Sequence, residues 1–343
     1  MADHRPAVAA TDTEHPAPGR AAPPLAGKIA FLLRVMRSKV VRFAFLILVL
    51  VLLALALIDQ GSKLWHEVQQ LSLPVVIGAF LLNLCGLICS LMVWRELLAD
   101  LGSRLSVPEA WRIMFIGQLA KYVPGSIWPV LAQAELGADR GIPRSRSALS
   151  VLLSYAVMTC SGLMVAAVTL PFATAESVAQ YLWVFLLLPV ALVLRLARRS
   201  ELEQRVSFAG LARTMAWAVA GWSFNGLEVY VLMRQLAGDQ QGTLLVSVGA
   251  YALSWAVGFL AVFAPAGTGV REAVMVAVLH VRTTTSIALV IALVTRATAV
   301  LCDAATGGAA AALVGRARLK RLRASSGSPG APAPPGAPMP PGG

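Results

Sequence analysis

Residues 263–272, Phe-Ala-Pro-Ala-Gly-Thr-Gly-Val-Arg-Glu, combine a helix-breaking proline, two glycines and a pair of opposite charges. They interrupt an apolar run over residues 244–279 that is long enough to cross a bilayer. Backbone that breaks at membrane depth is tolerated only where protein or a water-filled cavity satisfies its polar groups. A helix that begins near Thr268 or Gly269, with Thr268 as its cap, would point free N–H groups and a positive dipole end into the membrane. We therefore expect an anion-binding site here, to which Arg271 adds a full charge with a geometry suited to phosphate.

A second broken segment, residues 113–136, carries the core sequence Lys-Tyr-Val-Pro-Gly at residues 121–125. Its prolines and glycine exclude one straight helix, and the bases on both flanks indicate a hairpin that enters from the cytoplasm and returns there. Lys121, one turn before Pro124, would supply a second cation. Trp128, beside the break, would form a wall of the cavity.

These residues predict a phospholipid headgroup site between two half-helices. The alternative is that Arg271 pairs with Glu272 or another acid and only stabilises the fold. The sequence leaves both readings open. The candidate binding residues are Lys121, Tyr122, Pro124, Gly125, Trp128, Pro265, Gly267, Thr268, Gly269, Arg271 and Glu272.

Three further charges fall inside apolar stretches: Glu228, Arg296 and Asp303. Charged residues in lipid are costly and usually face the interior of a helix bundle in pairs. Arg296 and Asp303 are seven residues apart and so share one face of the last helix. Glu228 could neutralise Arg296 or Arg271, and we favour a structural ion pair over a direct role.

Composition indicates a polytopic membrane protein. Of 343 residues, 57% are hydrophobic and 13% are charged, which excludes an ordinary soluble domain. The net charge of +12 does not predict nucleic acid binding, because the basic residues flank the apolar spans. The sequence shows no metal-ligand spacing, no phosphate-binding loop and no catalytic constellation. We expect no cofactor or metal, and the absence of a catalytic set argues against an enzyme.

The chain divides into two tails and a membrane domain. Residues 1–27 are expected to be a disordered tail, residues 28–315 the transmembrane domain, and residues 316–343 a basic, then Pro/Gly-rich, disordered tail. Within the domain, residues 28–42 predict a basic helix on the inner membrane surface. The expected spans are 43–58, 73–94, 148–170, 180–196, 214–236 and 286–314, together with the broken segments 113–136 and 244–279. Basic residues next to the spans place both termini in the cytoplasm.

The two broken segments occupy matching places in the chain. Gly86 precedes Pro124 by 38 residues, and Gly226 precedes Pro265 by 39. The first hairpin opens inward and the second outward. We therefore predict an all-α helix bundle with two re-entrant hairpins and an inverted-topology repeat, whose halves cover about residues 73–170 and 214–314, with a midplane site between them.

With these motifs placed, the chain resembles the lysylphosphatidylglycerol synthase transmembrane-region family. The matching pieces are residues 117–129, with Lys-Tyr-Val-Pro-Gly, and residues 263–272, with Pro-Ala-Gly-Thr-Gly-Val-Arg-Glu. The resemblance extends over about residues 28–316. It implies a helical bundle in the bacterial plasma membrane with re-entrant helices and a role in lipid translocation, but without the soluble aminoacyl-transferring domain of the full-length enzymes.

The function expected from the sequence is translocation of a phospholipid or lipid-linked molecule across the plasma membrane, in the manner of a flippase. The alternatives are a membrane enzyme, or an accessory subunit, that acts on a lipid carrier or with a separate lipid-modifying transferase. The expected partners are membrane lipids with anionic headgroups, with such a transferase as a second partner.

Overall fold

The computed structural model describes residues 62, 64–122, 127–172, 207–238, 243–261, 264 and 267–326. All regular structure in these ranges is helical, which confirms the predicted all-α fold. The predictions for residues 1–58, for the span 180–196 and for the tail beyond residue 326 lie outside the described residues.

Each predicted element that falls in the described ranges corresponds to a helix. The two broken segments are each divided into two helices. In the first segment, a short 3₁₀ turn, Ala120–Tyr122, follows the first of these helices. The last helix continues to Ser326, beyond the end of the predicted span. In chain order, the helices with bounds in the described ranges are α1 Leu73–Asp100, α2 Val107–Leu119, α3 Trp128–Ala138, α4 Arg144–Thr169, α5 Phe208–Ala237, α6 Thr243–Leu260, α7 Val270–Leu279 and α8 Thr285–Ser326.

Within the described residues, four helical segments are long and apolar enough to cross a membrane: Leu73–Asp100, Arg144–Thr169, Thr243–Leu260 and Thr285–Gly315. Helix α5 is not among them, although its 30 residues span about 45 Å. Its hydropathy is lower because it carries Asn225 and Glu228, which are buried against neighbouring helices. The polar side chains of α5 therefore lie inside the bundle.

The chain turns back on itself at both predicted breaks. Gly117, near the end of α2, lies against Gln133 in α3, and Gly258, near the end of α6, lies against Arg271 in α7. One straight helix would hold the two members of either pair about 20 Å apart. The short helices α3 and α7 thus pack beside the helices that precede them.

The helices pack in two corresponding sets. Helix α1 lies along α5 in the most extensive contact of the described bundle. Helix α2 packs on α3 and α8, just as α6 packs on α7 and α4, and α3 packs on α4 as α7 packs on α8. Exchanging α1–α4 with α5–α8 leaves this set of contacts unchanged.

Glycines allow the closest of these approaches. A Cβ atom on Gly226 in α5 would lie 2.5 Å from the Cα of Val248 in α6, and one on Gly221 would lie 3.5 Å from the carbonyl oxygen of Gly86 in α1. Small residues at helix crossings are typical of membrane bundles, where close backbone packing replaces the hydrophobic drive between helices.

Candidate functional site

The Pro-Ala-Gly-Thr-Gly segment depends on two glycines with left-handed backbone conformations. Gly267 has φ +71° and Gly269 has φ +84°, which residues with side chains rarely adopt. A Cβ atom on Gly267 would also lie 2.9 Å from the carbonyl oxygen of Gly258 in α6. These glycines bring the start of α7 directly against α6.

Glu272, and not Thr268, caps the start of α7. Its Oε2 accepts a hydrogen bond of 2.6 Å from the backbone N–H of Gly269, which is the N-cap residue. The expectation that Thr268 caps this helix is therefore wrong. A carboxylate of the protein itself therefore lies at the positive end of the helix dipole and takes up the N–H of Gly269.

Arg296 of α8 reaches across to the same turn. Its Nη2 donates to the Oγ1 of Thr268 at 3.2 Å, and its Nε lies 3.6 Å from the Oε1 of Glu272. Glu272 thus pairs with Arg296 and not with its neighbour Arg271. The contact fixes α7 against the last helix.

Arg271 has a different environment. Its guanidinium carbon lies 5.6 Å from the centre of the Tyr251 ring in α6, and its aliphatic stem crosses Gly258. Within the described residues it forms no ion pair with a carboxylate, so the predicted local pairing with an acid is not observed. A cation over an aromatic face keeps its full charge for a further partner.

A small pocket opens between α7 and α8 beside these charges. It is partly open to the surroundings. We refer to it as the α7–α8 pocket, and it is lined by Arg271, Glu272, Met275, Ala292, Thr295 and Arg296. In the described part of the chain, no cluster of His, Cys, Asp and Glu side chains could hold a metal ion.

Lys121, from the other broken segment, pairs with the last helix. Its Nζ lies 2.6 Å from the Oδ2 of Asp303 in α8. The Asp303 side chain is 6% exposed and that of Lys121 is 31% exposed, so the carboxylate is buried and the lysine is half-buried. Arg296 and Asp303, predicted to share one face of the last helix, therefore bind different partners, one from each broken segment.

The two broken segments come together through these contacts. Asp303, which binds Lys121, and Arg296, which binds Glu272, lie seven residues apart in α8, so both broken segments contact the same helix. Three cations, from the 3₁₀ turn after α2, from α7 and from α8, therefore lie along one stretch of α8, accompanied by the carboxylates of Asp303 and Glu272.

Glu228 does not neutralise either arginine by direct contact, as the sequence had suggested. It is fully buried in α5 and accepts a hydrogen bond of 2.8 Å from the Nδ2 of Asn83 in α1. Its other oxygen contacts the hydroxyl of Thr298 in α8. Arg271 acts on Glu228 only at longer range.

The remaining predicted residues have varied positions. Trp128 begins α3 with 45% of its surface exposed and does not line the α7–α8 pocket, although we expected it to form a wall of the cavity. Tyr122 ends the 3₁₀ turn, and only its backbone is described. Pro124, Gly125 and Pro265 lie outside the described residues.

Several residues of this region were not identified from the sequence. Asn83, Thr298 and Tyr251 contact the charged groups, but each is an uncharged residue in an apolar helix. Asn83 offered a usable signal, since a buried amide in a membrane helix requires a partner. Thr298 offered less, because a threonine hydroxyl is readily satisfied by the carbonyls of its own helix.

Residues 40–307 match the family described as lysylphosphatidylglycerol synthase TM region, and the match includes both broken segments. A search of curated proteins returned no match to the chain. Since the family match covers most of the sequence, the resemblance seen in the two motifs is confirmed. The chain belongs to the lysylphosphatidylglycerol synthase transmembrane-region family.

Proposed function

We propose that this protein translocates a phospholipid or a lipid-linked molecule across the plasma membrane by exposing an interior anion site alternately to the two sides. The observation that carries the proposal is that Arg271 and Arg296 line the α7–α8 pocket, while Lys121 is bound to the same helix α8 about two turns away through Asp303. Charges inside a membrane bundle are costly, and they commonly mark the path of a charged substrate.

Arg271 is the principal headgroup ligand in this proposal. Lys121 and Arg296 already face Asp303 and Glu272, whereas among the described residues Arg271 faces the Tyr251 ring and forms no ion pair with a carboxylate. A guanidinium can hold two phosphate oxygens at once, which gives both strength and orientation. The acyl chains would remain in the lipid between helices.

The corresponding packing of the two helix sets supports an inverted repeat with two re-entrant hairpins. In such repeats the site lies between broken helices, and one half moves against the other. Helix α8 contacts both broken segments through Asp303 and Arg296, so a tilt of α8 would loosen one ion pair before the other. The basic residues near its end, Arg316 to Arg323, support a cytoplasmic C-terminus, and the expected orientation of the N-terminus in the cytoplasm is part of the same proposal.

Lipid translocation in proteoliposomes tests this proposal. Purified protein is reconstituted with a fluorescent anionic phospholipid, and the fraction quenched from outside reports movement between leaflets. We expect the wild type to move the anionic lipid, Arg271→Ala to lose about tenfold or more of the rate, and Arg271→Lys to retain part of it because the charge remains.

Arg144→Ala is the matched control. Arg144 is an exposed arginine that pairs with Glu135 on the surface, so its loss removes the same charge without touching the pocket. It should translocate lipid at the wild-type rate. A wild type that moves no lipid, or an Arg271→Ala protein equal to wild type, would contradict the proposal and favour an accessory role beside a separate lipid-modifying transferase.

A further inference from the structure

Glu228 is a buried carboxyl group with only neutral hydrogen-bonding neighbours. It has no exposed surface, and within the described residues it forms no ion pair. Its contacts are the amide of Asn83 and the hydroxyl of Thr298. An ionised carboxylate buried without a cation beside it is strongly disfavoured, so this arrangement favours the protonated acid.

The hydrogen count at Thr298 points the same way. Its hydroxyl has one hydrogen, yet Oγ1 lies within bonding distance of Glu228 and also of the carbonyl oxygens of Val294, at 3.1 Å, and Thr295, at 2.9 Å. If Glu228 is protonated, its O–H donates to Thr298, and the threonine hydrogen goes to one of the two carbonyls. Every polar group in the chain of contacts then has a partner.

The titratable and charged side chains that act on Glu228 come from three helices. They are Tyr251 in α6, Arg271 in α7 and Cys302 in α8, while α1 presents the neutral Asn83. Arg271 is the only cation among them, and it is one of the residues that line the α7–α8 pocket. Thr298, which contacts Glu228, lies one helical turn from Thr295, which lines the same pocket. The buried carboxyl group therefore lies next to the site that holds the cation assigned to the headgroup.

We propose that Glu228 is a proton-binding site whose proton is linked to the binding of the anionic headgroup at Arg271. When the Glu228 O–H bond breaks, the proton passes to water that enters as the helices part, and the carboxylate left behind attracts Arg271. The guanidinium then holds a phosphate less strongly. When the proton returns, Arg271 is again available to the headgroup. This inference rests on the proposed translocase function and names the ion that would drive it.

Difference infrared spectroscopy tests the proton site alone. The purified protein is titrated from acidic to alkaline buffer while the C=O stretch of protonated carboxyl groups is followed. We expect one such band that disappears on alkalinisation, is absent from Glu228→Gln, and is present in Glu135→Gln, in which an exposed acid is replaced as the control.

Thr298→Val, which removes the hydrogen-bond acceptor, should shift the band and so provides a second test if Glu228→Gln folds poorly. A wild type without the band, or a band unaffected by both Glu228→Gln and Thr298→Val, would overturn the inference.

Binding of a short-chain anionic phospholipid in detergent tests the coupling. The wild type should lose affinity severalfold from acidic to alkaline buffer, because binding takes up a proton. Glu228→Gln should bind at least as tightly as the acidic wild type at every pH. Lipid binding that does not depend on pH would overturn this inference and leave the translocase proposal intact. An infrared band without any lipid binding would overturn the translocase proposal and the coupling but support the proton site.

Discussion

At the scale of single residues, the position of Arg271 depends on a glycine in the facing helix as well as on its own charge. Its stem lies where a side chain on Gly258 would be, and its guanidinium faces the Tyr251 ring. The motif therefore needs space in α6 as well as an arginine in α7. The sequence indicated the arginine, but the glycine opposite it is thirteen positions away and lies in an otherwise ordinary apolar helix.

Gly258→Ala should disable the site without changing any charge. The new methyl group would collide with the Arg271 stem and move the guanidinium away from the pocket. We expect lipid translocation to fall about tenfold or more, since small displacements of a binding group are costly. Gly78→Ala is the matched control, because a Cβ atom there meets nothing within 4 Å. Equal rates for the two variants would contradict this account.

The pairing of acids and bases was harder to predict than their identity. The sequence located Lys121, Glu272, Arg296 and Asp303, but it did not show that Glu272 would cap its own helix and accept Arg296. Such choices depend on how far each helix is rotated about its axis, and a rotation of one residue changes every partner. The 3.6-residue period of a helix shows which residues share one face, but it does not show which residues of another helix they contact.

At the scale of elements, α8 joins the two broken segments. Asp303 holds Lys121 at the end of the first, and Arg296 holds Glu272 and Thr268 at the start of the second. The sequence predicted both breaks from proline and glycine, because these residues interrupt helices wherever they occur. It did not predict that one helix would bind both breaks.

The Lys121–Asp303 pair can be measured with a double-mutant cycle. Lys121→Met and Asp303→Asn should each destabilise the protein by about 1–3 kcal/mol, with the lower part of the range reflecting the partial exposure of Lys121. The double variant should be clearly less destabilised than the sum, because no charge is left without its partner. The measurement is thermal unfolding in detergent followed by tryptophan fluorescence. Strictly additive effects would show that the contact contributes nothing.

The crossing of α5 and α6 gives a second test at this scale. Gly226→Ala would place a methyl group 2.5 Å from the Cα of Val248, where backbone must move to make room. We expect a loss of about 1–3 kcal/mol in unfolding free energy, as for other overpacked sites. Gly78→Ala should be neutral or slightly stabilising, since alanine is the better helix former. A stable Gly226→Ala protein would place the two helices farther apart than described.

At the scale of the whole molecule, the described helices lie where hydrophobic runs predicted them, although the last continues twelve residues beyond its predicted end. This follows because a bilayer requires both length and apolarity in each span. Helix α5 shows the limit of that reasoning. Asn225 and Glu228 make it less apolar than its neighbours. The helix can carry these polar residues because both are buried against other helices of the bundle.

The orientation of the molecule is a prediction at the same scale. Single cysteines introduced at Ala324 and at Gln241 into a protein lacking its own four cysteines should react oppositely with a membrane-impermeant thiol reagent in intact cells. Gln241, in the loop expected outside, should be labelled, and Ala324 only after permeabilisation. Labelling of Ala324 from outside would contradict the cytoplasmic C-terminus and the reversal of the chain between α6 and α7.

The central claim is that an anionic headgroup binds beside Arg271, and photo-cross-linking tests it most directly. An anionic phospholipid with a photoreactive group near its phosphate is incorporated with the protein into liposomes and irradiated, and the labelled peptides are mapped. Labels should concentrate on residues 267–275 and 292–296, should be lost in Arg271→Ala, and should persist in Arg144→Ala. Labels spread over the lipid-facing helices, and unchanged in Arg271→Ala, would contradict it.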